Sequence, residues 1–229
     1  MKKDTNKLDV KDKIDIVEEV VIDTGLDCAI ETGLQLIPLV GGALSTAYFS
    51  TKQAKQFKRI ENFYEKLSSR LTEIEHKVIS MEEQYEDGIV SLIEQINNKV
   101  ENEHQEIKTE CYLNYMKNLL TNKVTINNYD NKKIFLDILD KMTVLDIDLL
   151  VFLYNSKYLV KNSQFVIVEM INKDNLDKFA IVGAVSRLKS YGLISAIQNS
   201  MTIGSGDNSL QEAIAITDYG LELIEFVME

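Results

Sequence analysis

At 229 residues, of which 45% are hydrophobic, the chain is long enough for one large domain or two modest ones. One proline and ten glycines favour long helices over a β-sandwich, which needs many turns. The net charge of −11 argues against a nucleic-acid binder, because such proteins usually carry a basic surface that neutralises phosphates.

The N-terminal part, residues 1–52, contains a polar lead-in and then twenty residues without a charged side chain, from Thr32 to Thr51. As a helix this stretch would span roughly 30 Å, the thickness of a bilayer's hydrocarbon core. Pro38 and the two glycines soon after it would interrupt such a helix near its middle. Two interpretations stay open: a buried apolar helical hairpin, or a hairpin that contacts membranes. The membrane-contact candidates under the second are Leu36, Ile37, Leu39, Val40, Leu44, Tyr48 and Phe49.

Residues 53–121 show the clearest periodic pattern, with apolar residues at alternating steps of three and four. Charged residues fill most of the positions between them, so the pattern is a heptad repeat and predicts a left-handed coiled coil. The partner helix would come from a second copy or from later in the chain, and we expect a homo-oligomer. The predicted seam consists of Phe57, Ile60, Tyr64, Leu67, Leu71, Ile74, Val78, Met81 and Tyr85.

Gly88 interrupts this rhythm, and two arrangements are open. A turn there would fold residues 57–86 and 89–120 into an antiparallel hairpin, whereas a tolerated glycine would leave one long helix that dimerises. The first arrangement, or a strongly bent helix, is favoured. Residues 122–133 are rich in asparagine and lysine and are predicted to be a linker.

The last part, residues 134–229, has the order of elements of a winged helix-turn-helix domain. Two helices come first, and Thr143 and Asp146 can form a capping box at the start of the second. A short apolar piece then precedes a helix over about 175–191. Gly192 is placed to end this helix in the left-handed conformation.

Two short strands, LISAI and EAIAIT, follow as a hairpin, and Thr217 or Asp218 can cap a last helix. The predicted fold class is therefore mainly α. An N-terminal apolar helical hairpin and long coiled-coil-like helices would precede a winged helix-turn-helix domain with a small β-hairpin.

Such a domain has two possible uses. It can read DNA by placing its second motif helix in the major groove. The candidate DNA contacts are Lys178, Ser186, Arg187 and Lys189. These cations are few, and the tip of the hairpin carries Asp207 and no lysine or arginine. Packing or protein contact is therefore favoured, since a fold does not determine a function.

No motif of a common catalytic class is present in the sequence: there is no G-x-G-x-x-G, Walker A, H-E-x-x-H or G-x-S-x-G pattern. His76 and His104 lie in polar helical runs and are predicted to be solvated. Cys28 and Cys111 lack a metal-ligand spacing and are predicted to be reduced, buried thiols. We therefore expect no enzymatic activity, no metal and no cofactor.

Three segments together resemble a known family. They are LIPLVGGALS before the heptad region, then IKTECYLNYMKNLLTNK, then KKIFLDILDKMTVLDIDLLVFLYN. Their order is similar to that of the Abi-alpha family of bacterial abortive-infection-type proteins and their phage-associated relatives. The matching positions are Glu110, Leu113, Met116, Leu120, Ile134, Phe135, Ile138, Leu139, Met142 and Thr143. The resemblance implies a winged-helix-like end and a role in phage defence or another phage-related setting, and it supplies no catalytic residues.

These observations predict a non-enzymatic effector that acts through contacts with a protein partner or a phage trigger. Under the membrane interpretation, its apolar hairpin also contacts lipid. We expect a cytoplasmic protein, with membrane association on activation under that interpretation. The alternative is a dimeric winged-helix transcriptional regulator, in which case the partner is DNA, the less favoured class.

Overall fold

A computed structural model of the chain describes residues 54–80, 83–159, 166–171, 176–198 and 209–228. The chain divides into two compact units, Met1–Glu83 and Gln84–Glu229, and each is described by itself. The described residues are mainly helical with one small antiparallel sheet, which confirms the coarse fold class. The predicted N-terminal hairpin lies outside the described residues.

The described part of the first unit is helix α1 (Ala54–Thr72), followed by a 3-10 turn at Glu75–Lys77. One side of α1 is buried, because its apolar residues recur at helical spacing. The side chains exposed by 1% or less are Ile60, Phe63, Tyr64, Leu67 and Leu71.

The continuous seam predicted from Phe57 to Tyr85 is wrong, because α1 ends at Thr72. Ile74 and Val78 lie beyond the helix, and Tyr85 precedes the first helix of the second unit. Met81 and the side chain of Phe57 are outside the described residues. The other seam residues, Ile60, Tyr64, Leu67 and Leu71, are already buried within a single chain. A dimer seam along α1 would require them to be uncovered first.

The described residues of the second unit form six α-helices. They are α2 (Glu86–Val100), α3 (Glu106–Thr121), α4 (Tyr129–Lys141), α5 (Val144–Leu159), α6 (Lys178–Ser190) and α7 (Asp218–Met228).

Gly88 lies in the first turn of α2, so both arrangements predicted around it are wrong. The reason for the glycine is space and not a turn. A Cβ at this position would collide with the ring of Tyr85 and would lie 2.9 Å from the ring of Tyr129. These two rings pack edge to face with their centroids 5.8 Å apart. The glycine therefore leaves room for an aromatic pair between the start of α2 and the start of α4.

The predicted linker 122–133 is an ordered part of the second unit, and its residues from Tyr129 onward belong to α4. Val124 is fully buried. Its amide donates to Gln84 Oε1 at 2.6 Å, and its carbonyl accepts from the Tyr85 amide at 2.9 Å. The division between units lies after Glu83, and not in this segment.

A three-stranded antiparallel sheet is formed by β1 (Val166–Ile167), β2 (Ile194–Gln198) and β3 (Glu212–Ile216). Strand β3 lies in the middle and pairs with both others. The strands β2 and β3 confirm the two predicted strand segments. The apolar piece before α6 supplies β1 and then a 3-10 turn, Val168–Met170.

Local signals for the ends of helices are confirmed. Gly192 has φ +74° and follows α6. The Thr217 hydroxyl accepts from the Gly220 amide at 3.0 Å, so Thr217 caps α7. It also donates toward the Leu193 carbonyl at 3.0 Å. A Cβ at Gly220 would collide with that carbonyl oxygen, so this glycine permits close packing of α7 on the start of β2.

Two asparagines of α3 hold the end of α7. Asn118 Nδ2 donates to the carbonyl of Phe226 at 2.9 Å, and Asn114 Nδ2 donates to that of Val227 at 3.2 Å. The last carbonyls of a helix have no partner within the helix. The two amides therefore satisfy orphan groups and fix α7 against α3.

An aromatic cluster lies beside this contact. The ring of Phe226 packs edge to face on Tyr115, with centroids 4.9 Å apart. The Lys132 ammonium lies 3.8 Å from the centroid of the same ring, which is a cation–π contact. Burial lowers the pKa of Lys132, although the charge of Glu222 opposes this effect. The cluster joins α3, α4 and α7 into one core.

The membrane-contact candidates between Leu36 and Phe49 lie outside the described residues. Within the described ranges, no helix combines the length and the apolar character that crossing a bilayer requires. The membrane interpretation therefore stays a prediction.

Candidate functional site

The four predicted DNA-contact residues all lie on α6, so this helix is the candidate functional element. The helix begins at Lys178 because the carboxylate of Asp177 accepts from the Phe179 amide at 2.8 Å and caps it. It ends at Ser190, before the left-handed Gly192.

Arg187 forms an ion pair with a residue of α5, the α-helix that precedes α6 in the described chain. Its Nε lies 3.1 Å from each carboxylate oxygen of Asp146, and its Nη2 donates to Oδ1 at 2.9 Å. The side chain of Asp146 is 0% exposed and that of Arg187 is 41% exposed. The same carboxylate accepts from the Thr143 amide at 2.7 Å and from its hydroxyl at 2.8 Å. This confirms the predicted capping box and adds to it a bidentate ion pair with α6.

Lys189 and Lys178 also have partners in the chain. Lys189 Nζ lies 2.9 and 2.8 Å from the two carboxylate oxygens of Glu212, at the start of β3. Lys178 Nζ donates to the backbone carbonyl of Glu169 at 3.3 Å. Ser186 is exposed. The structure therefore places the four candidates on one helix, but Arg187 and Lys189 form ion pairs with carboxylates of the chain.

The outward face of α6 consists mainly of uncharged residues, with the Arg187 guanidinium beside Gly183. Phe179, Val182, Gly183 and Ser186 share this face, since they are spaced by three and four residues. Phe179 is 58% exposed. Apart from its chain neighbours and the backbone of the helix, the described atom nearest to a Cβ built on Gly183 is Nη1 of Arg187, at 3.6 Å. The face suits an apolar partner surface better than a phosphate backbone.

Two further apolar side chains extend this face at its N-terminal end. Met170 is 74% exposed and Leu176 is 42% exposed. Met170 ends the 3-10 turn Val168–Met170, which lies beside the first turn of α6 because Lys178 bonds the carbonyl of Glu169. We call Met170, Leu176 and Phe179 the apolar patch. Contiguous exposed apolar surface can mark an interaction site.

A second feature is an open cavity of about 340 Å³ between the start of α3 and the end of α7. Ile107, Cys111 and Met228 form its apolar lining. Burial raises the pKa of the Cys111 thiol to about 12, so the thiol is protonated at neutral pH and a poor nucleophile. The thioether sulfur of Met228 lies 3.8 Å from this thiol.

A polar cluster joins α2, α3 and α4. Asp140 forms an ion pair with Lys99 at 2.8 Å and accepts from the Tyr112 hydroxyl at 3.2 Å. Burial raises the pKa of Asp140, but the hydrogen bond and charge of Lys99 outweigh it and lower the pKa overall. Burial raises the pKa of Tyr112 well above its usual range. The groups stabilise one another and form a structural network.

The two histidines, His76 and His104, are exposed. His104 Nδ1 lies 3.8 Å from Glu103 Oε1. Among the residues that the structure describes, no group of three or more His, Cys, Asp or Glu side chains could hold a metal ion.

Sequence reasoning missed the apolar patch and the partners of the α6 cations. Exposed apolar residues have no signal in one sequence, because core and surface positions use the same residue types. The capping box did mark Asp146, but its second partner lies 41 residues away and no local pattern announces it. No protein-family model, curated protein or solved structure matches this chain.

Proposed function

We propose that the chain is a non-enzymatic effector of the abortive-infection type, or a phage-related relative, that acts through protein contacts of α6. In this proposal the C-terminal part of the second unit is a winged-helix-like module. Its support is the order α4, α5, β1, α6, β2, β3, α7, with β3 between β1 and β2. That order has a helix before a β-hairpin, as a winged helix-turn-helix does.

The observation that carries the proposal is that two cations of α6, Arg187 and Lys189, are paired with carboxylates of the same chain. A DNA-reading helix needs cations that can approach phosphates and base edges. Arg187 instead compensates a fully buried carboxylate, and Lys189 is bound by Glu212. The outward face of α6 has the exposed Phe179 in its first turn, followed by the small residues Gly183 and Ser186. Protein contact is the use that this chemistry favours.

The resemblance to the Abi-alpha family supplies the biological setting of the proposal. Most of the matching positions are buried within the second unit, where they form part of its core. The buried ones are Leu113, Met116, Leu120, Phe135, Ile138, Leu139 and Met142. Ile134 is exposed, and Glu110 is half-buried.

The test is a phage-challenge assay in bacterial cells that express the chain. We expect the wild type to reduce plaque formation by at least one phage, and Phe179→Ser with Val182→Ser to lose this effect. Ile126→Ser is the matched control, because Ile126 is 74% exposed on the same unit but outside α6. Immunoblots confirm equal amounts of each variant.

Full protection by the α6 double variant would contradict the proposal, and so would wild-type cells with no protection against a broad phage panel. The DNA alternative is tested with the purified chain and duplex DNA at ~50 mM salt, where non-specific phosphate binding is strong. We expect no salt-dependent binding. Binding that Lys178→Ala weakens would favour the regulator instead.

A further inference from the structure

The apolar patch is bordered by carboxylates. Glu169 immediately precedes Met170, and Asp177 lies between Leu176 and the first turn of α6. Glu169 Oε2 accepts from Gln211 Nε2 at 2.8 Å, and Asp177 Oδ1 accepts from the Phe179 amide. These bonds are to neutral donors. In the described part of the chain, neither carboxylate forms an ion pair.

Lys178 adds one formal positive charge at the same edge, where its ammonium bonds the backbone carbonyl of Glu169, so these three groups leave one net negative charge there. The patch thus combines three large apolar side chains with two carboxylates and one lysine. The whole chain carries a net charge of −11, which favours cationic over anionic partners in general. Electrostatic complementarity selects partners of the opposite sign and speeds their encounter.

We propose that the apolar patch binds a basic amphipathic helical segment of a partner protein. Apolar side chains of that segment cover Met170, Leu176 and Phe179, and its lysines or arginines face Glu169 and Asp177. This inference rests on the proposed function, to which it adds the chemistry of the partner.

The other occupants fit this surface less well. A second copy would bring a further net charge of −11 toward the same carboxylates. An anionic bilayer or a nucleic acid would place its phosphates against Glu169 and Asp177, and like charges at an interface are unfavourable. A basic helix satisfies both the apolar and the acidic parts of the surface.

The experiment uses the full chain and a fluorescent synthetic amphipathic helix of leucine and lysine, with binding followed by anisotropy. One control peptide has the same composition in scrambled order, and the other replaces every lysine by glutamate. We expect only the ordered lysine peptide to bind well. Met170→Ser with Phe179→Ser should weaken this binding by about tenfold or more. Ile126→Ser should not change it.

The acidic edge is tested with Glu169→Gln, which keeps a side chain of the same size. This substitution should weaken the binding of the lysine peptide several-fold at low salt and less at high salt, because salt screens exposed charges. Equal binding of the lysine and glutamate peptides would overturn the inference. So would binding of the lysine peptide that is the same for the wild type and the patch variants.

Two further measurements test the competing occupants, a membrane and a second copy of the chain. Flotation with anionic phospholipid vesicles that requires Met170 and Phe179 would overturn the inference in favour of a membrane. A concentration-dependent dimer lost in the same variants would overturn it in favour of a second copy. If Phe179→Ser with Val182→Ser abolishes phage protection while the peptides show no charge preference, the proposed function stands and only the partner's chemistry is wrong.

Discussion

The ion pair between Arg187 and Asp146 offers the sharpest test of how α6 is used. If Arg187 holds α6 against the start of α5, its removal must destabilise the fold. If it serves DNA instead, its removal should cost little stability. The substitution Arg187→Ala separates these two roles in the purified protein.

The size of the effect follows from the burial of the two partners. Removing one partner of a buried ion pair costs roughly 3–5 kcal/mol, because the other charge is left without compensation. Asp146 is 0% exposed and keeps its bonds from Thr143, whereas the Arg187 side chain is 41% exposed. Water can therefore replace part of the guanidinium, and we expect a loss of about 2–4 kcal/mol.

The assay is urea unfolding followed by circular dichroism, together with hydrogen exchange of the α5 and α6 amides. Lys189→Ala is the matched control, because it removes a cation of the same helix from a pair with side-chain exposures of 36% and 13%. That pair should contribute less than about 1 kcal/mol. Equal losses for Arg187→Ala and Lys189→Ala, or unchanged exchange in α5, would refute the reasoning.

Three further predictions concern the core. Lys132→Met should leave stability unchanged or raise it at neutral pH, because burial lowers the Lys132 pKa and folding therefore disfavours its charged form. This gain in the free energy of unfolding should vanish as the pH rises past the pKa of lysine in the unfolded chain. Urea unfolding at several pH values measures it, and a clear loss of stability at neutral pH would contradict the prediction. Gly220→Ala should lower thermal stability by about 1–3 kcal/mol, because its Cβ meets the Leu193 carbonyl. In a Cys28→Ser background, Cys111 should resist alkylation at pH 8 until denaturant is added, because burial raises its pKa to about 12; rapid native labelling would refute this.

Local signals allowed much of the second unit to be predicted. The capping box at Thr143 and Asp146, the left-handed Gly192 and the cap at Thr217 each depend on a few neighbouring residues, and the structure confirms them. Caps and turns are legible in a sequence because their hydrogen bonds join residues only three or four apart.

The heptad seam failed for a physical reason. Steps of three and four mark any helix with one buried face, so a set of short packed helices gives the same pattern as one coiled coil. The break after Thr72 contains neither glycine nor proline to announce it. Gly88 was predicted to mark a turn or to lie within one long helix, whereas its role is to make space for the rings of Tyr85 and Tyr129.

The candidate site depended on long-range contacts, which one sequence does not reveal. Lys178, Ser186, Arg187 and Lys189 were placed on the right helix, but the carboxylates that engage two of them come from α5 and β3. The exposure of Phe179 likewise follows from packing and not from its residue type.

The most direct test of the account is photo-crosslinking from Ser186, which is exposed on the outward face of α6. A photoreactive amino acid is placed there, and at Ile126 as control, in cells that are illuminated during phage infection. The account predicts an adduct from Ser186 that protease removes and nuclease does not, with none from Ile126. A nuclease-sensitive adduct, or the same products from both positions, would contradict it.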